Sequence, residues 1–243
     1  MNHDRMEHII IKNKQGKILR GDLHKVNSDK IIIISHGFVS DRHAGGRFDK
    51  TAIALNKKGF DVLAFDYSGC GESNKSLISV KQWTDDLSSV IKFVKKSGYK
   101  RIGILGASLG GTIAVNCGAD CMVLWAPVTN KEIPKITEEQ KREMKKGHYI
   151  YIRNDNGIRF MISKKYYDER VSMDQKGFLR KIVYPVLILH GTKDKSVPLD
   201  DSIYAAKHNG NIEFKMIKGA DHKFILHIYK AIGYTESFFR KYL

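Results

Sequence analysis

The sequence predicts a doubly wound, mostly parallel α/β sheet with a small inserted cap of helix plus hairpin. Three observations carry that prediction. Five short apolar runs, "KIIIISHG" (30–37), "FDVLAFDYSG" (60–69), "RIGILGAS" (101–108), "CMVLWAP" (121–127) and "PVLILHGTKD" (185–194), are continuous rather than alternating, as in strands buried on both faces. Amphipathic stretches of helical length separate the first four, giving a strand–helix alternation. That rhythm then stops over residues 128–174 before it resumes.

The elements follow in order. "HIIIKNKQGKILRGDLHK" reads as an antiparallel hairpin turning at residues 14–17, an edge for the parallel sheet. "RFDKTAIALNKKG" is a helix closing on Gly59. The next helix, "SVKQWTDDLSSVIKFVKKSG", sets Val80, Trp83, Leu87, Val90, Ile91 and Val94 at helical spacing, and "LGGTIAVNCGA" follows Ser108. Within the break, a polar helix "TEEQKREMKKG" precedes a hairpin "YIYIRNDNGIRFMIS", with Asn156-Gly157 as its turn signal. A second short helix spans about 164–170, and "FLRKIVYP" returns to a buried strand. Strand "NIEFKMIKG" and a helix over about 224–242 close the chain. The expected division is a core of residues 1–127 and 175–243 and a cap of residues 128–174. The cap's leading helix has no apolar face, which argues against stable membrane insertion. Its aromatics, Tyr149, Tyr151, Phe160, Tyr166 and Tyr167, suit an acyl pocket and half-buried hairpin packing equally well.

Composition bounds the function. A chain of 243 residues fits one large domain, or one core with an insertion. Hydrophobic residues at 42% and charged residues at 28% are ordinary for a soluble protein, and no apolar run is long enough to cross a bilayer. The N-terminus lacks the pattern of an export signal, so a cytoplasmic location is expected. Cys70, Cys117 and Cys121 have no paired CxxC spacing, which argues against a disulfide framework and a structural zinc site. The formal charge of +16 would favour acidic partners. Its lysines are scattered and interleaved with acids, without a nucleic-acid-binding signature, so a solvated surface is expected and nucleic acid is not.

"GILGASLGGT" sets Ser108 between glycines, at the end of a predicted buried strand and before a predicted helix. Small residues there also permit a tight turn and close helix packing, so the motif alone leaves both readings open. A serine hydroxyl needs a base, and His222 in "KGADHKF" follows the last predicted strand at the same sheet edge. Asp194 in "HGTKDKSVP" follows an intervening strand and can orient that histidine.

Taken together, "SHGF", "DYSGCGES", "GASLGG", "HGTKDKSVP" and "GADHKF" resemble, in content and order, the serine-nucleophile α/β hydrolases. The compact core with its short cap is similar to the cinnamoyl and feruloyl esterases and the monoacylglycerol lipase-like enzymes. Peptidase members usually carry a larger helical cap, which weighs towards an esterase. The resemblance implies Ser108 as nucleophile, Asp194 and His222 as its partners, and an oxyanion hole from the backbone N–H groups of Leu109 and Phe38. No cofactor or metal is implied. His36 and His190 are expected to be structural or loop-orienting, Asp66 to organise the site loops, and Asp221 and Cys70 to be loop residues. The expected activity is hydrolysis of small to medium acyl or aromatic-acid (cinnamoyl or feruloyl type) esters, a small-molecule ester substrate being the partner. Alternatives are a monoacylglycerol lipase or lysophospholipase, and a hydrolase-fold ligand-binding protein with little turnover.

Overall fold

The computed structural model describes residues 5–129 and 135–243. Its first half runs β1 (Arg5–Lys12), β2 (Ile18–Lys25), β3 (Lys30–Ser35), α1 (Arg47–Asn56), β4 (Asp61–Phe65), α2 (Val80–Lys96), β5 (Arg101–Ala107), α3 (Leu109–Cys117) and β6 (Cys121–Trp125). Then come α4 (Glu138–Lys145), β7 (Ile150–Arg153), β8 (Arg159–Ile162), α5 (Lys164–Ser172) and α6 (Gln175–Arg180). The chain returns through β9 (Val186–Gly191), α7 (Leu199–His208), β10 (Ile212–Ile217) and α8 (Ile228–Tyr242).

Eight strands form one sheet in the order β1-β2-β4-β3-β5-β6-β9-β10. Only the β1–β2 and β2–β4 pairings are antiparallel. The edge hairpin turns where Asn13 Oδ1 accepts from the backbone N–H of Gln15 (3.0 Å) and Lys17 (2.8 Å). The central strands are buried on both faces, which is why their sequences do not alternate; Ile31, Ile32, Ile33 and Ile34 are all in the core. Trp83, Leu87, Val90 and Val94 of α2 pack with Ile113 of α3 on one face. Phe48 and Leu55 of α1 pack with Ile232, Phe238 and Phe239 of α8 on the other. Among the described residues, no helix is long and apolar enough to cross a membrane.

Elements α4 to α6 fall between β6 and β9; residues 130–134 of the expected cap, like residues 1–4, lie outside the described residues. The β7–β8 turn centres on residues 155 and 156, one position earlier than its sequence signal suggests. Asn154 is the cause: its Oδ1 accepts from the N–H groups of Asn156 (3.1 Å) and Ile158 (3.0 Å), leaving Gly157 to take the left-handed φ of 76°. At the end of the chain, Phe224 has φ 55°, so the last helix does not begin there; a 3-10 turn over Ile225–His227 leads into α8. Helices α6 and α7 carry no strong apolar period. One has six residues, and the other buries only Ser202 and Ala205.

The inserted segment is fastened to the core at the start of α2. Ile78 N–H donates to the Met161 carbonyl at 2.8 Å. Glu169 of α5 accepts from Ser79 Oγ (2.9 Å) and from the Val80 N–H (2.6 Å), placing a carboxylate at the positive end of α2. Glu169→Ala is expected to cost about 1 kcal/mol, read by calorimetry as a fall of about 2–4 °C in the thermal midpoint. Glu169→Gln, which keeps the acceptor and loses the charge, should fall less.

Candidate active site

Ser108 is the single residue between β5 and α3, with φ 51° and ψ −121°. A non-glycine residue adopts such a conformation only where its surroundings impose it. Here its N–H donates to the Trp125 carbonyl at 2.8 Å, and its carbonyl accepts from the Gly111 (3.1 Å) and Val128 (3.2 Å) N–H groups. The next turn of α3 presses against the end of β3. A Cβ on Gly110 would lie 2.2 Å from the Ser35 carbonyl oxygen and 2.3 Å from that of His36, so only glycine fits. Ser35 Oγ donates to the Gly110 carbonyl at 2.9 Å across the same contact. Leu109 opens α3, so its N–H has no acceptor within the helix. The loop after β3 abuts the serine from the other side: a Cβ on Gly37 would sit 3.1 Å from Ser108 Cβ, with Phe38 next in the chain.

Asp194 and His222 meet from the loops after β9 and β10. Asp194 Oδ2 accepts from His222 Nδ1 at 2.7 Å, and its side chain is wholly buried. The same oxygen lies 3.1 Å from His190 Nε2, while Oδ1 accepts from the N–H groups of Ser196 (2.7 Å) and Val197 (2.9 Å). Burial alone would raise this carboxyl's pKa, but the hydrogen bonds from His190 and His222 prevail and hold it well below the usual carboxylate range. His190 Nδ1 takes a hydrogen bond from Ser202 Oγ at 2.7 Å, which leaves Nε2–H to face the carboxylate. The two loops are joined by backbone bonds from Thr192 N–H to the Ile217 carbonyl (3.1 Å) and Lys193 N–H to the Ala220 carbonyl (2.9 Å). With Nδ1–H of His222 committed to Asp194, its Nε2 carries the lone pair, as a general base requires.

One cavity of about 720 Å³ is bordered by Phe38, Ser108, Leu109 and His222 together. Asp194 stands behind His222 and does not line it. Tyr166 and Arg170 of α5, the hairpin tip at residues 154–156, and Ile225 and Ile228 complete much of the wall. Among the cap aromatics, Tyr166 lines the cavity, stacking on Phe38 with ring centroids 4.9 Å apart and planes 11° from parallel. Phe160 and Tyr167 are buried away from it, and Tyr149 and Tyr151 are exposed.

The remaining sequence candidates have local partners. His36 is fully buried; its Nδ1–H donates to the Gly37 carbonyl (2.9 Å), its Nε2 accepts from Tyr67 N–H (3.2 Å), and burial lowers its pKa. Asp221 Oδ1 caps the Ile225 N–H at 3.0 Å. The Cys70 thiol is buried, which pushes its pKa up and removes thiolate character. Asp66 accepts from Arg42 through both N–H (2.7 Å) and Nη1, and from Glu72 N–H (2.9 Å). Arg42 also reaches Asp22 Oδ2 at 2.7 Å. This buried arginine ties the loop after β3 to strand β2 and to the loop after β4, and the polar stretch "SDRHAGG" gives no sign of it.

The family model described as Hydrolase_4, serine aminopeptidase, S33, matches residues 26–146. The lysophosphatidylserine lipase ABHD12 of Danio rerio is 30% identical over 220 residues, covering 82% of this chain and 55% of that protein. Human protein ABHD12B is 29% identical over 184 residues, covering 72% of this chain and 48% of that protein. The chain thus spans about half the length of these curated relatives. Among solved structures, ferulic acid-bound Est1E from Butyrivibrio proteoclasticus matches with a TM-score of 0.82 at 21% identity, covering 96% of this chain and 98% of that one. The α/β hydrolase GrgF from Penicillium sp. sh18 matches with a TM-score of 0.81 at 16% identity, covering 98% and 99%.

Two stability measurements probe this geometry. Gly110→Ala is expected to lose at least about 3 kcal/mol in urea unfolding, whereas Gly210→Ala, with open space around it, should stay within about 0.5 kcal/mol. Because the pKa of Asp194 is depressed by folding, its stabilisation is complete above its unfolded-state pKa of about 3.9 and is lost as pH falls through the folded value. The stability gap between the wild type and Asp194→Asn should therefore be widest near neutrality and close below about pH 4.

Proposed function

We propose that the chain, similar in fold and sequence to the α/β hydrolases, is a serine carboxylic ester hydrolase acting through an acyl-enzyme. The observation that carries this reading is His222, held by Asp194 at 2.7 Å, bordering one cavity with the strained Ser108. In the proposed reaction, His222 Nε2 takes the hydroxyl proton as Ser108 Oγ attacks the ester carbonyl. The N–H groups of Leu109 and Phe38 receive the oxyanion, and donors of this kind are worth about two to three decades of rate each. His222 then passes the proton to the departing alcohol, and water repeats the sequence on the acyl-enzyme. Asp194 fixes the imidazole tautomer and stabilises the imidazolium.

A cavity of about 720 Å³ suits esters of small to medium acyl or aromatic acids, and the similar Est1E structure holds an aromatic acid, ferulic acid. A second reading, a lysophospholipase or monoacylglycerol lipase, has its own support. Arg47, Lys50, Arg153, Arg170 and Lys223 border the cavity and suit an anionic group, and the Danio rerio relative is a lysophosphatidylserine lipase. Comparing turnover of feruloyl, p-nitrophenyl butyrate and lysophospholipid esters discriminates between the two.

Ser108→Ala should abolish both fluorophosphonate labelling and p-nitrophenyl butyrate hydrolysis while leaving the fold intact; retention of more than a few per cent of turnover would overturn the assignment. Labelling without measurable turnover on any ester would instead favour a ligand-binding protein. Asp194→Asn is expected to lower kcat by at least about a hundredfold, against less than about tenfold for Asp221→Asn.

A further inference from the structure

We propose that the rim of this cavity docks on the surface of an anionic phospholipid membrane. The first observation is an apolar face where a soluble protein should not need one. Ile225, Leu226 and Tyr229 are 58%, 91% and 73% exposed, within one helical turn of each other. The same turn sends Phe224 and Ile228 into the core, so these three side chains share its outward face. Single exposed apolar residues are ordinary; three together beside a site entrance are not. Ile225 itself borders the cavity, so the apolar face begins at the opening and continues outward through Leu226 and Tyr229. Across the opening, Ile158, 48% exposed, follows the hairpin tip that lines the cavity, and an ion pair between Lys223 and Asp155 joins the two sides.

Charge selects the occupant. Lys230 follows the apolar residues in α8, and Arg47, Lys50 and Arg153 border the opening, while Lys223, which precedes them, is paired with Asp155. The nearby acids are engaged locally: Asp155 with Lys223, Asp221 with the Ile225 N–H, and Asp41 with the N–H groups of His43 and Ala44. The chain as a whole carries a formal +16. Apolar side chains projecting from a cationic rim fit a negatively charged lipid interface, where the first enter the headgroup region and the second stay with the phosphates. No helix needs to insert. The polar α4, which has no apolar face, lies on another part of the inserted segment.

This docking goes beyond the hydrolase reading and is tested separately from it. Vesicles of phosphatidylcholine alone and of phosphatidylcholine with phosphatidylglycerol are sedimented with the wild-type chain. Binding is expected only to the anionic vesicles and should weaken sharply at about 0.5 M salt. Leu226→Ser combined with Tyr229→Ser should reduce partitioning at least about tenfold, and Lys230→Glu should reduce it by a smaller factor. Neither variant should change hydrolysis of soluble p-nitrophenyl acetate or the elution volume in gel filtration. Absence of wild-type binding, or unchanged binding by the double variant, would overturn the proposal. So would a shift of the double variant from dimer to monomer, which would assign the face to a second copy. Since binding is read without turnover, an inactive chain that still sediments with vesicles would count against the hydrolase reading alone.

Discussion

The candidate site depends on how closely the start of α3 presses against the end of β3. That approach, with two carbonyl oxygens where a side chain on Gly110 would begin, leaves the chain between β5 and α3 one sharp path. Ser108 takes the corner at positive φ, the Leu109 N–H is left without an acceptor within the helix, and the loop at Gly37 and Phe38 is brought against the serine. Steric exclusion, more than any attraction, sets these positions. In the proposed reaction, donors fixed in this way would need no reorganisation as charge develops in front of them.

Two buried carboxylates organise the loops around that corner, and they do so with different partners. Asp66 is bound to the guanidinium of Arg42, a group that stays charged at any ordinary pH, and the result is a fixed brace. Asp194 is bound to two imidazoles. His190 is wholly buried and occupied on both nitrogens, so it holds the carboxylate in place. The His222 side chain keeps 20% of its exposure and borders the cavity. The same carboxylate thus joins one histidine sealed in the core to another that faces the cavity.

Much of this was legible because parallel strands buried on both faces announce themselves as apolar runs, and because the loops at their carboxyl ends converge on one edge. Ser108 and Asp194 each follow such a run and His222 follows the edge strand β10; the structure brings Asp194 and His222 into contact and sets Ser108 and His222 on one cavity, with Asp194 behind. Arg42 was not legible: one arginine in a polar loop looks solvated until two distant carboxylates are folded over it. The second histidine on Asp194 was hidden for a similar reason, since its reach across a loop depends on a backbone path that composition does not specify. In the hairpin, strands of four residues carry too few alternations to reveal which aromatics face inward, and Asn154 moved the turn by capping it with its own side chain.

The attachment of the inserted segment has a mechanical consequence. Its body is riveted at the start of α2 by Glu169 and by the Ile78–Met161 bond, and at the serine's flank by the Tyr166–Phe38 stack. Swinging this roof as a whole would strip a helix of its cap and unstack the ring that steadies Phe38, so roof and core open as one cooperative unit with a shared free energy. The far end is different. The hairpin tip is tied across the entrance by the solvent-exposed pair of Lys223 and Asp155, a latch that breaks and reforms on the timescale of loop motion. The inserted segment is therefore held firmly at its base, whereas one exposed ion pair holds its edge.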